Sequence, residues 1–352
     1  MKGLTFGFLF KGQYLLLGLL IILSNSVLAQ DVNNYPKDGK IKNLKGRVQE
    51  DIVVAKDGTG DFLYLADAIE AIRVFLPEPI TVYIKEGVYR EKLEIPATVT
   101  NVTFKGEGPE KTKIVYDDFS GKGKIGTFES YTLKVSGNTL TFKDLTIENS
   151  AGSVGQAVAL HADGDRLVFE NCNFKGNQDT MFASGENQRQ YYKNCYIEGT
   201  TDFIFGSGTA LFENCEIHSK SNSYITAAST PKWVKQGYVF KDCKLTAAEG
   251  VDKVYLGRPW RAHAKTVFIN CEMGSHIAEE RWHNWGNPEN EKTVFYAEGG
   301  SIGPGADASN SVDWAVQLDK QENNQYSIDK IFEGLTDQLD TKGEEWYGIV
   351  ME

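Results

Sequence analysis

Cysteine is scarce in this chain. The 352 residues hold five, an odd number and far too few for a disulfide scaffold. They form no CxxC pair and no Cys/His cluster, which argues against a zinc site. The histidines His161, His218, His263, His276 and His283 make no HExxH and no close pair. No metal and no cofactor are therefore expected. Positive charge is in deficit: 37 Lys+Arg face 48 Asp+Glu, a net charge of −11. A general nucleic-acid binder would show a basic footprint instead. Proline is rare at 9 residues beside 35 glycines, a balance that suits many turns and strands. Beyond the first thirty residues no stretch is apolar and long enough to cross a bilayer. What the chain does have is a 41% hydrophobic fraction, ample for a large core and incompatible with wholesale disorder.

The first residues form a targeting pattern. Lys2 and Lys11 precede an apolar run, Tyr14 to Leu23, which Ser24, Asn25 and Ser26 interrupt before Val27-Leu28-Ala29. That order matches the segments of a secretory signal, with cleavage after Ala29. The run is shorter than the roughly 20 residues a spanning helix needs, so no stable membrane span is expected after cleavage. Residues 1–29 carry two lysines and no acid, so their removal takes the net charge from −11 to −13. The expected location is secreted or periplasmic. Residues 30–50 read as a flexible lead-in, and 51–352 as a single domain, because no linker divides them.

One phrase recurs through the body of the chain. It reads Phe169-Glu170-Asn171-Cys172, Tyr192-Lys193-Asn194-Cys195, Phe212-Glu213-Asn214-Cys215, Phe240-Lys241-Asp242-Cys243 and Phe268-Ile269-Asn270-Cys271. A copy without cysteine is Phe142-Lys143-Asp144-Leu145. The cysteine spacings are 23, 20, 28 and 28, and all five cysteines fall in the phrase. After each cysteine come one residue and then an apolar one: Phe174, Ile197, Ile217, Leu245, Met273. This alternation is strand-like, and its period marks an all-β solenoid, a parallel β-helix with one coil per rung. Stacked rungs lie about 4.8 Å apart, so the cysteines are expected to form an internal ladder of free thiols. Leu65, Ala68, Ile69 and Ile72 predict a short capping helix over 64–75. After about residue 310 the repeat fades, and helices and loops are expected to pack along the solenoid.

The same spacing places acids side by side. Asp179 follows Cys172 by 7 residues and Asp202 follows Cys195 by 7, so they hold equivalent places on consecutive rungs. Gln156 lies 23 residues before Asp179, although a longer loop makes its alignment less secure. Two adjoining carboxylates in a partly buried site do not both ionise easily, which suits a proton donor beside a nucleophile. The plainer reading is two aspartates in surface turns. The flanking residues Gln178-Asp179-Thr180-Met181-Phe182 and Asp202-Phe203-Ile204-Phe205-Gly206 are too apolar for ordinary turns. Leu256-Gly257-Arg258-Pro259-Trp260 adds a cation able to grip a carboxylate and a ring able to stack on a sugar. Gly299-Gly300-Ser301-Ile302-Gly303 satisfies GxSxG, but Pro304 and Gly305 oppose the helix a nucleophile elbow requires. Asp163-Gly164-Asp165 lacks the remaining ligands of a calcium loop.

These segments, with Val54-Ala55-Lys56-Asp57-Gly58-Thr59-Gly60-Asp61-Phe62, Gly87-Val88-Tyr89-Arg90-Glu91 and Gln156-Ala157-Val158-Ala159-Leu160, resemble the pectin methylesterase (pectinesterase) family of carbohydrate esterases. The match runs from about residue 52 to about 332. The resemblance implies a right-handed parallel β-helix that hydrolyses methyl esters of pectin galacturonate. It implies Asp202 as nucleophile, Asp179 as general acid and then base, Gln156 and Gln178 as oxyanion donors, and Arg258 as the partner of Asp202. Thr127, Phe182 and Trp260 match substrate-binding positions, which Gln156 and Arg258 share. Met181, Glu129-Ser130-Tyr131-Thr132 and Glu298-Gly299-Gly300-Ser301 depart from the usual pattern. The run Trp282-His283-Asn284-Trp285-Gly286-Asn287-Pro288 resembles the bacterial branch. The expected partner is methyl-esterified homogalacturonan, bound by a monomer. Two rivals stand beside this: a chain-cleaving pectinase on a similar solenoid, and a noncatalytic carbohydrate-binding solenoid. Glutamines beside both acids favour an ester's oxyanion over an oxocarbenium ion.

Overall fold

The computed structural model describes residues 47–333 together with Trp346 and Tyr347. The signal segment and most of the lead-in lie outside the described residues. Within them the chain winds as a right-handed parallel β-helix. Three parallel sheets form its walls, of eleven, eight and seven strands. One coil shows the route. Leu167–Glu170 lies in the eleven-stranded sheet, Asn173–Lys175 in the eight-stranded sheet and Met181–Ala183 in the seven-stranded sheet. Arg189–Lys193 then starts the next coil, in register with the first.

The repeated phrase explains the coil's sharpest corner. Its aromatic residue points inward and stacks on its neighbours, from Phe142 on Phe169 through Tyr192, Phe212 and Phe240 to Phe268. Centroid distances run from 4.9 to 4.4 Å, the rung spacing itself. The Asn or Asp then takes a left-handed backbone, with φ of 51° at Asn171 and 53° at Asn194, Asn214 and Asn270. Asn and Asp tolerate this region better than other residues with a Cβ, so the phrase requires one of them there. The corner turns the cysteine inward. All five cysteines are free and buried, and each thiol donates to a carbonyl of the preceding rung, as Cys195 does to Phe169 at 3.4 Å. Burial pushes the Cys172 thiol up to about 12.

The cap helix is shorter than its periodicity suggests, Leu65–Ala71. Ile72 leaves it to pair with Val48, and the Arg73 amide bonds the Val48 carbonyl at 2.9 Å. The Glu91 carboxylate accepts from the first helical amides, Leu65 at 3.1 Å and Ala66 at 2.9 Å. At the other end the repeat outlasts residue 310 by one short strand, Val316–Gln317, paired to Phe295–Gly299. Helices Lys320–Asn323 and Ile328–Phe332 follow. Ile331, Phe332 and Tyr326 cover an outer apolar stripe of the eleven-stranded sheet made by Val168, Tyr191, Leu211, Val239 and Val267. Among the described residues, no helix is long and apolar enough to cross a membrane.

Candidate active site

The acids occupy the corner that leads into the seven-stranded sheet. Asp179 and Asp202 both adopt left-handed backbones, with φ of 63° and 49°. The Asp179 amide bonds the Thr201 carbonyl at 3.1 Å, and the Asp202 amide bonds the Tyr224 carbonyl at 2.8 Å. The two carboxylates therefore stand on consecutive rungs at the spacing of 23 expected from the sequence. Gln156 does not align with Asp179. It pairs with Gln178, and the Ala157 amide bonds the Gln178 carbonyl at 3.1 Å. The loop before Gln156 shifts the register by one residue, which sets the two glutamine side chains side by side.

A cleft of about 270 Å³ opens over these groups. Thr127, Gln156, Gln178, Asp179, Asp202, Arg258 and Trp260 all line it. Phe182 does not. It stands beside the lining on the same outward face, in register with Phe205 one rung on, with its ring 4.9 Å from Phe128 and 4.7 Å from Phe205. Phe128, Phe205, Ala227 and Trp285 line the cleft without having been singled out from the sequence. Phe128 and Phe205 are neighbours of quoted motif residues, a signal that was available. Trp285 comes from a loop with no repeat register to place it.

Glycines let the strands close on the site. A Cβ on Gly257 would lie 2.0 Å from the Thr226 hydroxyl oxygen, so only glycine brings Arg258 this close to the sheet. Arg258 then grips Asp202 bidentately, Nε to Oδ1 at 2.9 Å and Nη2 to Oδ2 at 2.7 Å. Asp179 and Asp202 are 7% and 6% exposed. Burial, helped by the charge of Asp202, pushes the Asp179 carboxyl up to about 8, and Arg258 only partly opposes this. Burial also raises Asp202, but there the direct bonds from Arg258 work against it. Of the pair, Asp179 is the one pushed far enough to keep a proton at neutral pH, while the two bonds from Arg258 favour the charged form of Asp202.

The set-aside motifs have structural employment. The Ser301 hydroxyl accepts from the Cys271 amide at 3.2 Å, within a glycine turn and not ahead of a helix. Asp165 is held by Arg189 through Nε at 3.0 Å and Nη2 at 2.6 Å.

Comparison with known proteins gives a consistent result. A family model described as Pectinesterase matches residues 51–335. Pectinesterase 31 of Arabidopsis thaliana is 37% identical over 277 residues, covering 75% of this chain and 86% of the relative. Probable pectinesterase/pectinesterase inhibitor 58 of the same plant is 35% identical over 292 residues. There the match covers 79% of this chain, which spans 51% of that relative's length. Among solved structures, pectin methylesterase from carrot superposes with a TM-score of 0.77 at 29% identity, covering 83% of this chain and 95% of that one. Pectin methylesterase PemA from Erwinia chrysanthemi gives 0.69 at 29% identity, covering 83% and 99%.

Proposed function

The chain belongs to the pectinesterase family, and on that footing we propose that it hydrolyses methyl esters of galacturonate units in pectin, releasing methanol. The observation that carries this reading is the acid pair on consecutive rungs, one of the two gripped bidentately by Arg258, in a cleft that two glutamine side chains share. An Asp202 oxygen attacks the ester carbonyl carbon. The carbonyl oxygen takes up the negative charge, and Gln156 and Gln178 donate hydrogen bonds to it. As the carbon–methoxy bond breaks, Asp179 gives its proton to the departing methanol. A water then loses a proton to Asp179 and attacks the acyl carbon, which frees the Asp202 carboxylate and leaves a galacturonic acid carboxyl that loses its proton to solvent. Thr127, Trp260 and Trp285 form the walls against which the polymer lies, and Phe182 packs beside them against Phe128 and Phe205.

Similarity to complexes supports the choice of polymer. A pectin methylesterase solved with a hexasaccharide superposes on this chain with a TM-score of 0.69 at 30% identity. We place the chain nearer the plant-type enzymes than the bacterial branch expected from residues 282–288. The carrot score of 0.77 against 0.69 for Erwinia supports that correction. Export with cleavage after Ala29, a single domain from 51 and a monomeric state belong to the same proposal. N-terminal sequencing of the exported protein and light scattering test them.

The deciding experiment incubates the protein with highly methylated pectin and follows methanol, titratable acid and chain length together. Methanol and acid should appear in equal amounts with no change in chain length, and EDTA should not alter the rate. Shortened chains without methanol, or a loss restored by calcium, would establish the chain-cleaving reading instead.

A further inference from the structure

Arg258 has a long way to reach. Its backbone follows the strand Tyr255–Gly257, whereas its partner Asp202 lies just before Ile204–Gly206, two rungs earlier in the seven-stranded sheet. Rungs are about 4.8 Å apart, so the side chain must cross the whole of the rung between. That rung is Tyr224–Ala228, and Tyr224 stands in its crossing place. Ile204 pairs with Thr226, which puts Tyr224 opposite Asp202, and Tyr224 pairs on its other side with Tyr255. The register column thus changes from acid at 179 and 202 to aromatic at 224 and 255. The guanidinium carbon lies 4.0 Å from the centre of the Tyr224 ring and 3.8 Å from that of Trp285. Tyr255 stacks on Tyr224 at 5.2 Å and backs it from outside the cleft. Tyr224 is not among the residues that line the cleft, so substrate contact does not account for it.

We propose that Tyr224 is a positioning residue for the ester hydrolysis read above. Its ring is the platform that fixes the plane of Arg258 and, through Arg258, the aim and charge of Asp202. A flexible guanidinium would grip a carboxylate in one oxygen-to-nitrogen pairing among several. Held between two rings it presents one edge only, the edge that makes both bonds to Asp202. Tyr224 therefore acts twice on the nucleophile, since its own carbonyl accepts from the Asp202 amide.

The test rests on the proposed activity, so methanol release by the wild-type protein is established first; its absence would defeat that reading and not this one. Tyr224→Ala and Tyr224→Leu are then compared with Tyr224→Phe, each checked for an unchanged melting transition. The groups around Asp202 are Asp179, Arg258 and the buried Tyr296. Behind Tyr224 stand His283, 5.4 Å away, and Tyr255 with Lys253 over its ring. Burial, then Arg258, lowers the His283 imidazole from its ordinary value. Loss of the platform should lower kcat about tenfold with little change in KM in both the Ala and Leu variants. It should also move the acid limb of the kcat profile upward by about one pH unit, because Asp202 then ionises less readily. Tyr224→Phe should match the wild type on both counts. Three results would overturn the proposal: a Leu variant with wild-type kcat and pH limb, a rise in KM alone, or equal losses in all three variants.

Discussion

Left-handed corners occur on all three edges of the solenoid, Asn101, Thr139 and Arg166 marking the entry to the eleven-stranded sheet, and the other two edges do different work. Where the eleven-stranded sheet hands over to the eight-stranded one, Asp144, Asn171, Asn194, Asn214, Asp242 and Asn270 repeat one conformation over six rungs. Their residue type answers a backbone demand, and the packed aromatic and cysteine columns beside them repeat as well. Where the chain enters the seven-stranded sheet, the same conformation appears at Asp179 and Asp202. There the column does not repeat: it runs acid, acid, tyrosine, tyrosine. Repetition builds the wall, and the break in repetition builds the chemistry. The same amino acid, Asp, is a corner piece at 242 and the proposed nucleophile at 202, and burial and Arg258 distinguish them.

The sharpest break of this contrast is Asp202→Asn. It should cut methanol release at least about 10⁴-fold, since the attacking oxygen is gone while shape is kept. Asp242→Asn at the other edge should leave kcat unchanged. Parallel kinetics with a thermal melt check both.

Asp179→Asn should lower kcat by about 10²–10⁴-fold, the range for a lost general acid–base group. Its effect on stability runs the other way. The folded carboxyl titrates near 8 against 3.8 unfolded, so the folded state binds the extra proton between these values. Wild-type stability then falls as pH rises from about 4 towards 8. Asn has no charge to bury, so the variant should melt several degrees higher at pH 7, with the gain vanishing below pH 4. A melt series over pH measures this, and a constant difference would contradict it.

Gln178→Ala and Gln156→Ala should each reduce kcat by about 10²–10³-fold, as for a lost oxyanion donor, with KM nearly unchanged. The smallest effect belongs to the structural edge. Asn194→Ala should cost about 1–2 kcal/mol from its left-handed backbone, and Asn194→Gly should recover most of it. Urea unfolding reads the difference, and neither change should touch kcat.

Much of this was legible because the repeat is a ruler. Both acids lie 7 residues after a cysteine, so their adjacency followed from counting alone. Gln156 escaped the ruler by one residue, because the loop before it absorbs length without a phrase to mark the rung. Phe182 was read as a lining residue from its neighbourhood, and strand alternation does put it on the outward face with Phe205 and Ala227, one rung beyond the lining itself. Trp285 and Tyr224 were not legible. Each meets Arg258 across rungs or from a loop, and a side chain spanning two rungs leaves no mark in the spacing. The short strand Val316–Gln317 was missed because two residues are too few to show alternation.

The division of protons within the acid pair is the point on which everything turns, and carboxyl NMR of protein labelled with ¹³C-aspartate observes it directly. The account predicts one carboxyl resonance titrating near pH 8, absent from Asp179→Asn, and a second, from Asp202, titrating at lower pH because Arg258 opposes its rise. Two site carboxyls that both titrate below pH 5 would contradict it.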